Sequence, residues 1–160
     1  MANPLNNEEE LFRKIREEKI TIDRKIWDIL YNRVGDAISA INLLCSYYLT
    51  INEPLPPKKA RKILKHANVI KKVIHGIFTT KRKVSLFPEL REDIKLHPII
   101  IEIVSHHINN DTNAIMIISS FYTGKDFFKP IPIEDIKKIL DRTKAIKDLL
   151  ERLKEATGLV

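Results

Sequence analysis

The chain has 160 residues, room for one domain or two very small ones, and 44% of them are hydrophobic, enough to bury a core. A formal net charge of +7 with 7% aromatics fits a lysine-rich solvated surface or an acidic partner, either nucleic acid or a carboxylate-rich protein face. A single cysteine excludes an intrachain disulfide, and no apolar run approaches the ~20 residues that span a bilayer.

The N-terminus, MANPLNNEEELFRK, has no apolar core of the signal-peptide type. The expectation is a soluble, cytoplasmic protein with no membrane contact, and a reducing compartment fits Cys45 as a small core residue. Ile, Leu, Lys and Glu dominate and only 4 residues are glycine, which favours helices over sheets.

In chain order, Glu8 to Glu18 reads as a short amphipathic helix with Leu11, Phe12 and Ile15 on one side. A long helix is expected from about Ile22 to Leu49. Trp27, Leu30, Val34, Ala37, Ile41, Leu44 and Tyr48 recur at the 3-4-3-4 spacing of a packed seam. The loop Thr50 to Leu55 ends at Pro56-Pro57, and proline suits the first turn of a helix, where its missing N–H is not needed. A second helix follows from about Lys58 to Phe78. Residues 79–97 read as a crossover connection with a short helix near Glu89–Lys95. A third helix begins at Pro98, and the chain turns through Gly124 to Pro130-Ile131-Pro132. A last helix runs from about Ile133 to Ala156, with Gly158 as its stop.

The chain repeats itself. Residues 27–48 align without gaps on 101–122, and after a two-residue insertion near Phe127-Phe128, residues 55–77 align on 131–153. Eleven of 45 aligned positions are identical, which any two amphipathic helices approach. The shared order of helix, polar loop, proline and helix is therefore what points to duplication. The fold class expected is all-α. It is a four-helix bundle of two tandem helical hairpins, with a short extra N-terminal helix. The repeats fall at about 22–80 and 98–157 of a single domain over 1–160.

The seam of the third helix runs through Ile101, Val104, Ile108, Ile115, Ile118 and Tyr122. At about 100° per residue, His106 lies opposite its centre, held in water. An exposed imidazole on a rigid helix serves as a nucleophile or proton carrier near neutral pH. Asn109, Asn110 and Asn113 are poor helix formers placed mid-helix beside it. Glu102, one turn earlier, is the nearby carboxylate able to assist. A solvent-facing histidine with no role is the alternative. Metal binding is disfavoured, because the adjacent His106 and His107 point about 100° apart and no Cys or second His follows His106 at four residues. His66, His75 and His97 read as surface or structural residues, with His97 a helix cap.

The run His106-His107-Ile108-Asn109-Asn110-Asp111-Thr112-Asn113-Ala114-Ile115 resembles the dimerisation and histidine-phosphotransfer domain of sensor histidine kinases. That family has a phosphoaccepting His, an acidic neighbour, and Asn or Thr four residues on. The resemblance covers about residues 98–156 and, more weakly, 22–80. It implies that His106 accepts the phosphoryl group and that Asn110 assists transfer. It puts His107 where the family's acidic residue accepts a proton and orients the imidazole. Repeat one aligns Asn32 with His106 and Asp36 with Asn110, a degenerate copy. The family's homodimer of hairpins would here be a pseudo-dimer within one chain, itself a monomer or a homodimer.

No ATP-binding glycine box follows, so autophosphorylation from ATP is not expected. The resemblance implies a histidine phosphotransfer protein whose partner is a response-regulator receiver domain or a sensor kinase. No cofactor of its own is implied, and Mg²⁺ is expected only in the partner receiver. A catalytically silent regulatory or docking module is the nearest alternative. An unrelated basic bundle that binds nucleic acid is the other, through Lys58, Lys59, Arg61, Lys62, Lys65, Lys71 and Lys72. Those lysines interleave with core positions and lack stacking aromatics, which favours a solvated face.

Overall fold

A computed structural model describes residues 4–78, 96–124 and 129–159. The chain is all-helical over these residues, with five helical stretches. Helix α1 spans Pro4–Glu17. Helix α2 is one continuous stretch of an α-helical Arg24–Ile29, a π-helical Leu30–Val34 and an α-helical Gly35–Thr50. Helix α3 spans Pro57–Phe78. Helix α4 is likewise continuous through Pro98–Glu102, a π-helical Ile103–Ile108 and Asn109–Phe121. Helix α5 spans Ile133–Ala156. The expected short helix at Glu89–Lys95 and the Phe127-Phe128 insertion lie outside the described residues.

Local chemistry fixes the helix ends. The Asp23 carboxylate caps α2 by accepting hydrogen bonds from the backbone N–H groups of Lys25 and Ile26 at 2.9 and 3.2 Å. Seventy-four residues later, His97 Nδ1 caps α4 by accepting from the Ile99 N–H at 3.1 Å. Lys19, Asn52 and Gly158 adopt left-handed backbone angles just past α1, α2 and α5. In each case the following N–H turns back to a carbonyl of the last turn, as Glu53 N–H does to Tyr48 at 3.1 Å.

α2 packs against α3 and α5, and α4 packs against the same two helices, so the four long stretches close a ring of contacts. The interior is one continuous core. It includes Ile26, Leu30, Val34 and Ile41 from α2, Ile63 and Ile70 from α3, Val104, Ile108 and Ile115 from α4, and Ile139 and Ile146 from α5, all with no measurable exposure. At about 25 cal/mol per Å² of apolar surface, this burial is the main term holding the fold together. α1 lies across α5 and inserts Phe12 and Ile15 fully.

Polar residues inside the core are satisfied by carbonyls of their own helix or by a side chain of a neighbouring one. The hydroxyls of Thr112 and Ser119 donate to the carbonyls of Ile108 and Ile115, one turn back, at 2.9 and 2.7 Å. Thr143 donates to the Leu140 carbonyl and to Asn42 Oδ1, tying α5 to α2.

The loops that follow α2 and α4 meet. Leu55 and Ile131 exchange backbone hydrogen bonds of 2.9 and 2.7 Å in an isolated antiparallel bridge, and both side chains are fully buried. Each residue stands between two prolines, in Pro54-Leu55-Pro56 and Pro130-Ile131-Pro132. A residue before proline is pushed into extended backbone, which suits it for a bridge. Its proline neighbours offer no N–H, which limits the pairing to a single rung.

Candidate functional site

His106 sits within the π-helical segment of α4, on the outside of the molecule, with its side chain 65% exposed. Glu102, in the preceding turn, places Oε2 at 3.5 Å from His106 Nε2, an ion-pair distance longer than a hydrogen bond. Asn110 is exposed one turn further on. Glu102, His106 and Asn110 therefore follow one another up a single solvent-facing stripe, and Ile117 and Phe121 continue along that helix with 69% and 59% exposure.

His107 goes elsewhere. Its side chain is only 16% exposed and turns toward α1, where Nδ1 lies 3.2 Å from Glu8 Oε1. Its Nε2 is buried with no hydrogen-bond partner. With Nδ1 facing a carboxylate, the tautomer protonated on Nδ1 and bare on Nε2 is the one this pocket accommodates. Glu8 also faces Arg152 Nη1 at 3.5 Å. Arg152 bonds Glu9 at 2.7 Å and stacks over the Phe12 ring at 4.2 Å. His107 is thus part of the clasp that holds α1, and its ring is directed away from the stripe that carries His106.

Asp111, the one position at which the second seam departs from apolar character, is buried and accepts a hydrogen bond from Arg142 Nη1 at 3.1 Å. Burial pushes its carboxyl above the ordinary value, while Arg142 pulls the other way and wins back only part.

Several clefts mark the described surface, and two of them bear on the candidate residues. One, of about 290 Å³, lies between α2 and α5 and is lined by Tyr31, Asn32, Gly35, Asp36, Lys147 and Glu151 among others. The Tyr31 hydroxyl donates to Glu151 there at 2.7 Å. Asn32 and Asp36, the repeat-one counterparts of His106 and Asn110, thus border a polar cleft. The other, of about 180 Å³, lies between α3 and α4 and is lined by Lys71, His75, Ser105 and Asn109 with Ile74 and Phe78. His66 is half-buried, and His75 and His97 are exposed.

The Tyr47-Tyr48 and Phe121-Tyr122 pairs lie at the ends of α2 and α4. The structure splits each pair. Tyr48 and Tyr122 pack on the core, while Tyr47 and Phe121 are 58% and 59% exposed. Leu43 and Ile117, one turn earlier, are more exposed still, at 74% and 69%. The signal was in the chain: these four apolar residues lie outside the seam, in two pairs spaced by four.

Among the described residues no group of three His, Cys, Asp or Glu side chains is placed to hold a metal ion. No helix among them is long and apolar enough to cross a membrane. Compared with protein families, curated proteins and solved structures, the chain has no match.

Proposed function

We propose that this protein is a cytoplasmic histidine phosphotransfer module that accepts and passes on a phosphoryl group at His106. The observation that carries the reading is the exposed imidazole on a π-helical turn with the Glu102 carboxylate 3.5 Å from Nε2. π segments inside helices concentrate at functional sites. Glu102 favours a proton on Nε2, which leaves the Nδ1 lone pair to attack phosphorus. As the N–P bond forms, the P–O bond of a partner's aspartyl phosphate breaks and its electron pair returns to the carboxylate. Glu102 offsets the positive charge that develops on the ring. A Mg²⁺ held by a partner receiver would supply further charge stabilisation, as expected where phosphoryl transfer rests on positioning and electrostatics. Asn110 lies one turn along the same stripe and is suited to hydrogen-bond the incoming phosphoryl oxygens. His107 acts through the α1 clasp, as a positioning residue.

The scaffold reading that goes with this is a four-helix bundle of two duplicated hairpins, α2–α3 and α4–α5, related by a pseudo-two-fold axis. The ring of interhelical contacts supports it, as do π segments that end at Val34 and Ile108, 74 residues apart. So does the reciprocal bridge between Leu55 and Ile131, since residues that exchange equivalent contacts are what a two-fold axis produces. Only repeat two carries the imidazole, and a response-regulator receiver or a sensor kinase is the proposed partner.

A second reading, a catalytically silent docking module of the same shape, draws on the inward turn of His107, which removes the base expected beside His106. Incubation with a phosphorylated receiver domain separates the two. Loss of label from the receiver with gain on this chain, absent in His106→Ala, is expected of a phosphotransfer protein. Receiver binding that is equal in wild type and His106→Ala, with no label moved, identifies the silent module.

A further inference from the structure

The cleft of about 180 Å³ between α3 and α4 gathers hydrogen-bond donors and no carboxylate. Lys71 and His75 line it from α3, Ser105 and Asn109 line it from α4, and Ile74 and Phe78 form its apolar side. The two α3 donors are exposed at the rim, and the two α4 donors are half-buried. Glu102, one turn before Ser105, faces His106. α3 carries seven Lys or Arg residues and no Asp or Glu, so a charge equal to the chain's whole formal excess of +7 lies on this one helix. Among the described residues, the side chains of Lys71, Ser105 and Asn109 and the ring of His75 make no hydrogen bond or ion pair. The Thr112 and Ser119 hydroxyls of the same helix as Ser105 donate to a carbonyl one turn back. Ser105 leaves its hydroxyl for the cleft. It shares the π-helical segment with His106, but Ser105 borders α3 while His106 stands in open solvent.

We propose that this cleft is a binding site for a small phosphate monoester, whose phosphate is held by Lys71, His75, Ser105 and Asn109. A phosphate group brings about two negative charges and three strong acceptor oxygens. The ammonium, hydroxyl and amide each have a proton to give, and so does the imidazole in either tautomer. The bond from Lys71 is the strong one, because both of its partners are charged. A carboxylate has one charge and two oxygens, and so leaves donors of this set unused. Ile74 and Phe78 cover an apolar substituent on the ester. The cleft is smaller than the roughly 300 Å³ at which drug-sized ligand pockets begin, so it suits a phosphate with a small substituent better than a whole nucleotide. The carbonyls at the C-terminus of α3 oppose an anion, but that effect falls off within the last turn, and Lys71 stands two turns from Phe78. The ester is bound with no bond broken, so the inference is independent of phosphoryl transfer at His106.

The test is titration of the full ¹⁵N-labelled chain with inorganic phosphate, phenyl phosphate and benzoate at fixed ionic strength, followed through backbone amide shifts. Saturable shifts centred on residues 71–78 and 105–109 are expected, with one site per chain. Phenyl phosphate should bind more tightly than inorganic phosphate, and benzoate, with the same ring and a single charge, more weakly than either. Lys71→Gln is expected to weaken phenyl phosphate about tenfold and Ser105→Ala about fivefold. Lys72→Gln removes the neighbouring charge outside the cleft and should change little. His106→Ala should bind as the wild type does, whether or not His106 carries a phosphoryl group in other experiments. Shifts that do not saturate, equal weakening by Lys71→Gln and Lys72→Gln, or binding lost in His106→Ala overturns the proposal. So does benzoate binding as tightly as phenyl phosphate. Phenyl phosphate binding no tighter than inorganic phosphate overturns the assignment to an ester.

Discussion

Leu55 and Ile131 donate their backbone N–H groups to each other's carbonyls, although 76 residues separate them. Both are fully buried, so the loops that follow α2 and α4 contribute to the core through their only apolar residues between prolines. Truncating either to Ala is expected to cost about 2–4 kcal/mol. Because the two touch, the double variant should lose less than the sum of the singles. Urea unfolding of the four proteins of this cycle measures the coupling, and strict additivity would show that the bridge does not link the loops energetically.

The N-terminal helix is held by a small number of groups that can be removed one at a time. Phe12 and Ile15 are buried, and Arg152 covers the Phe12 ring while facing Glu8 and Glu9. Phe12→Ala is expected to weaken docking of α1 by about 3 kcal/mol. Hydrogen exchange should then accelerate in residues 7–17 and stay slow in α3. Acceleration throughout the chain would mean that α1 is part of one cooperative unit with the rest.

Asp111 carries a charge that the fold opposes. Its carboxyl in the folded protein titrates above the unfolded value of 3.8, chiefly through burial, so the folded state holds its proton more tightly than the unfolded chain. Stability contributed by this group therefore falls as pH rises through and above that value. Asp111→Asn keeps an acceptor for Arg142 and removes the charge. Its Tm should exceed that of the wild type at pH 7, and the difference should close below about pH 4. A lower Tm at pH 7 would show that the Arg142 ion pair outweighs burial.

Cys45 is fully buried, and burial pushes its thiol up to about 12. The thiolate is the reactive form, so this cysteine is inert while the protein is folded. Modification by a disulfide reagent at pH 8 should proceed at the rate of global unfolding and rise steeply with urea. Rapid labelling without denaturant would place the thiol at the surface.

Much of the fold was legible because helix periodicity and helix stops are local signals. The last helix was expected at Ile133–Ala156 and lies there, Pro98 opens α4, and Gly158 closes α5 with a left-handed turn. His106 was expected in water because it opposes the seam, and it is exposed. The helical wheel assumes a uniform 3.6-residue period and could not show the π segments. The clasp of His107, Glu8 and Arg152 joins residues about a hundred and forty apart, and its members carry no shared local pattern. Tyr47 and Phe121 stand off the apolar seam, which reaches Tyr48 and Tyr122 instead, and they are exposed.

Direct phosphorylation of the chain tests the central claim. Wild type, His106→Ala and His107→Ala would be incubated with phosphoramidate and read by intact mass and by ³¹P resonance before and after brief acid treatment. The account predicts one acid-labile phosphate on wild type and on His107→Ala, and none on His106→Ala. No phosphate on wild type, or a phosphate that persists in His106→Ala, would contradict it.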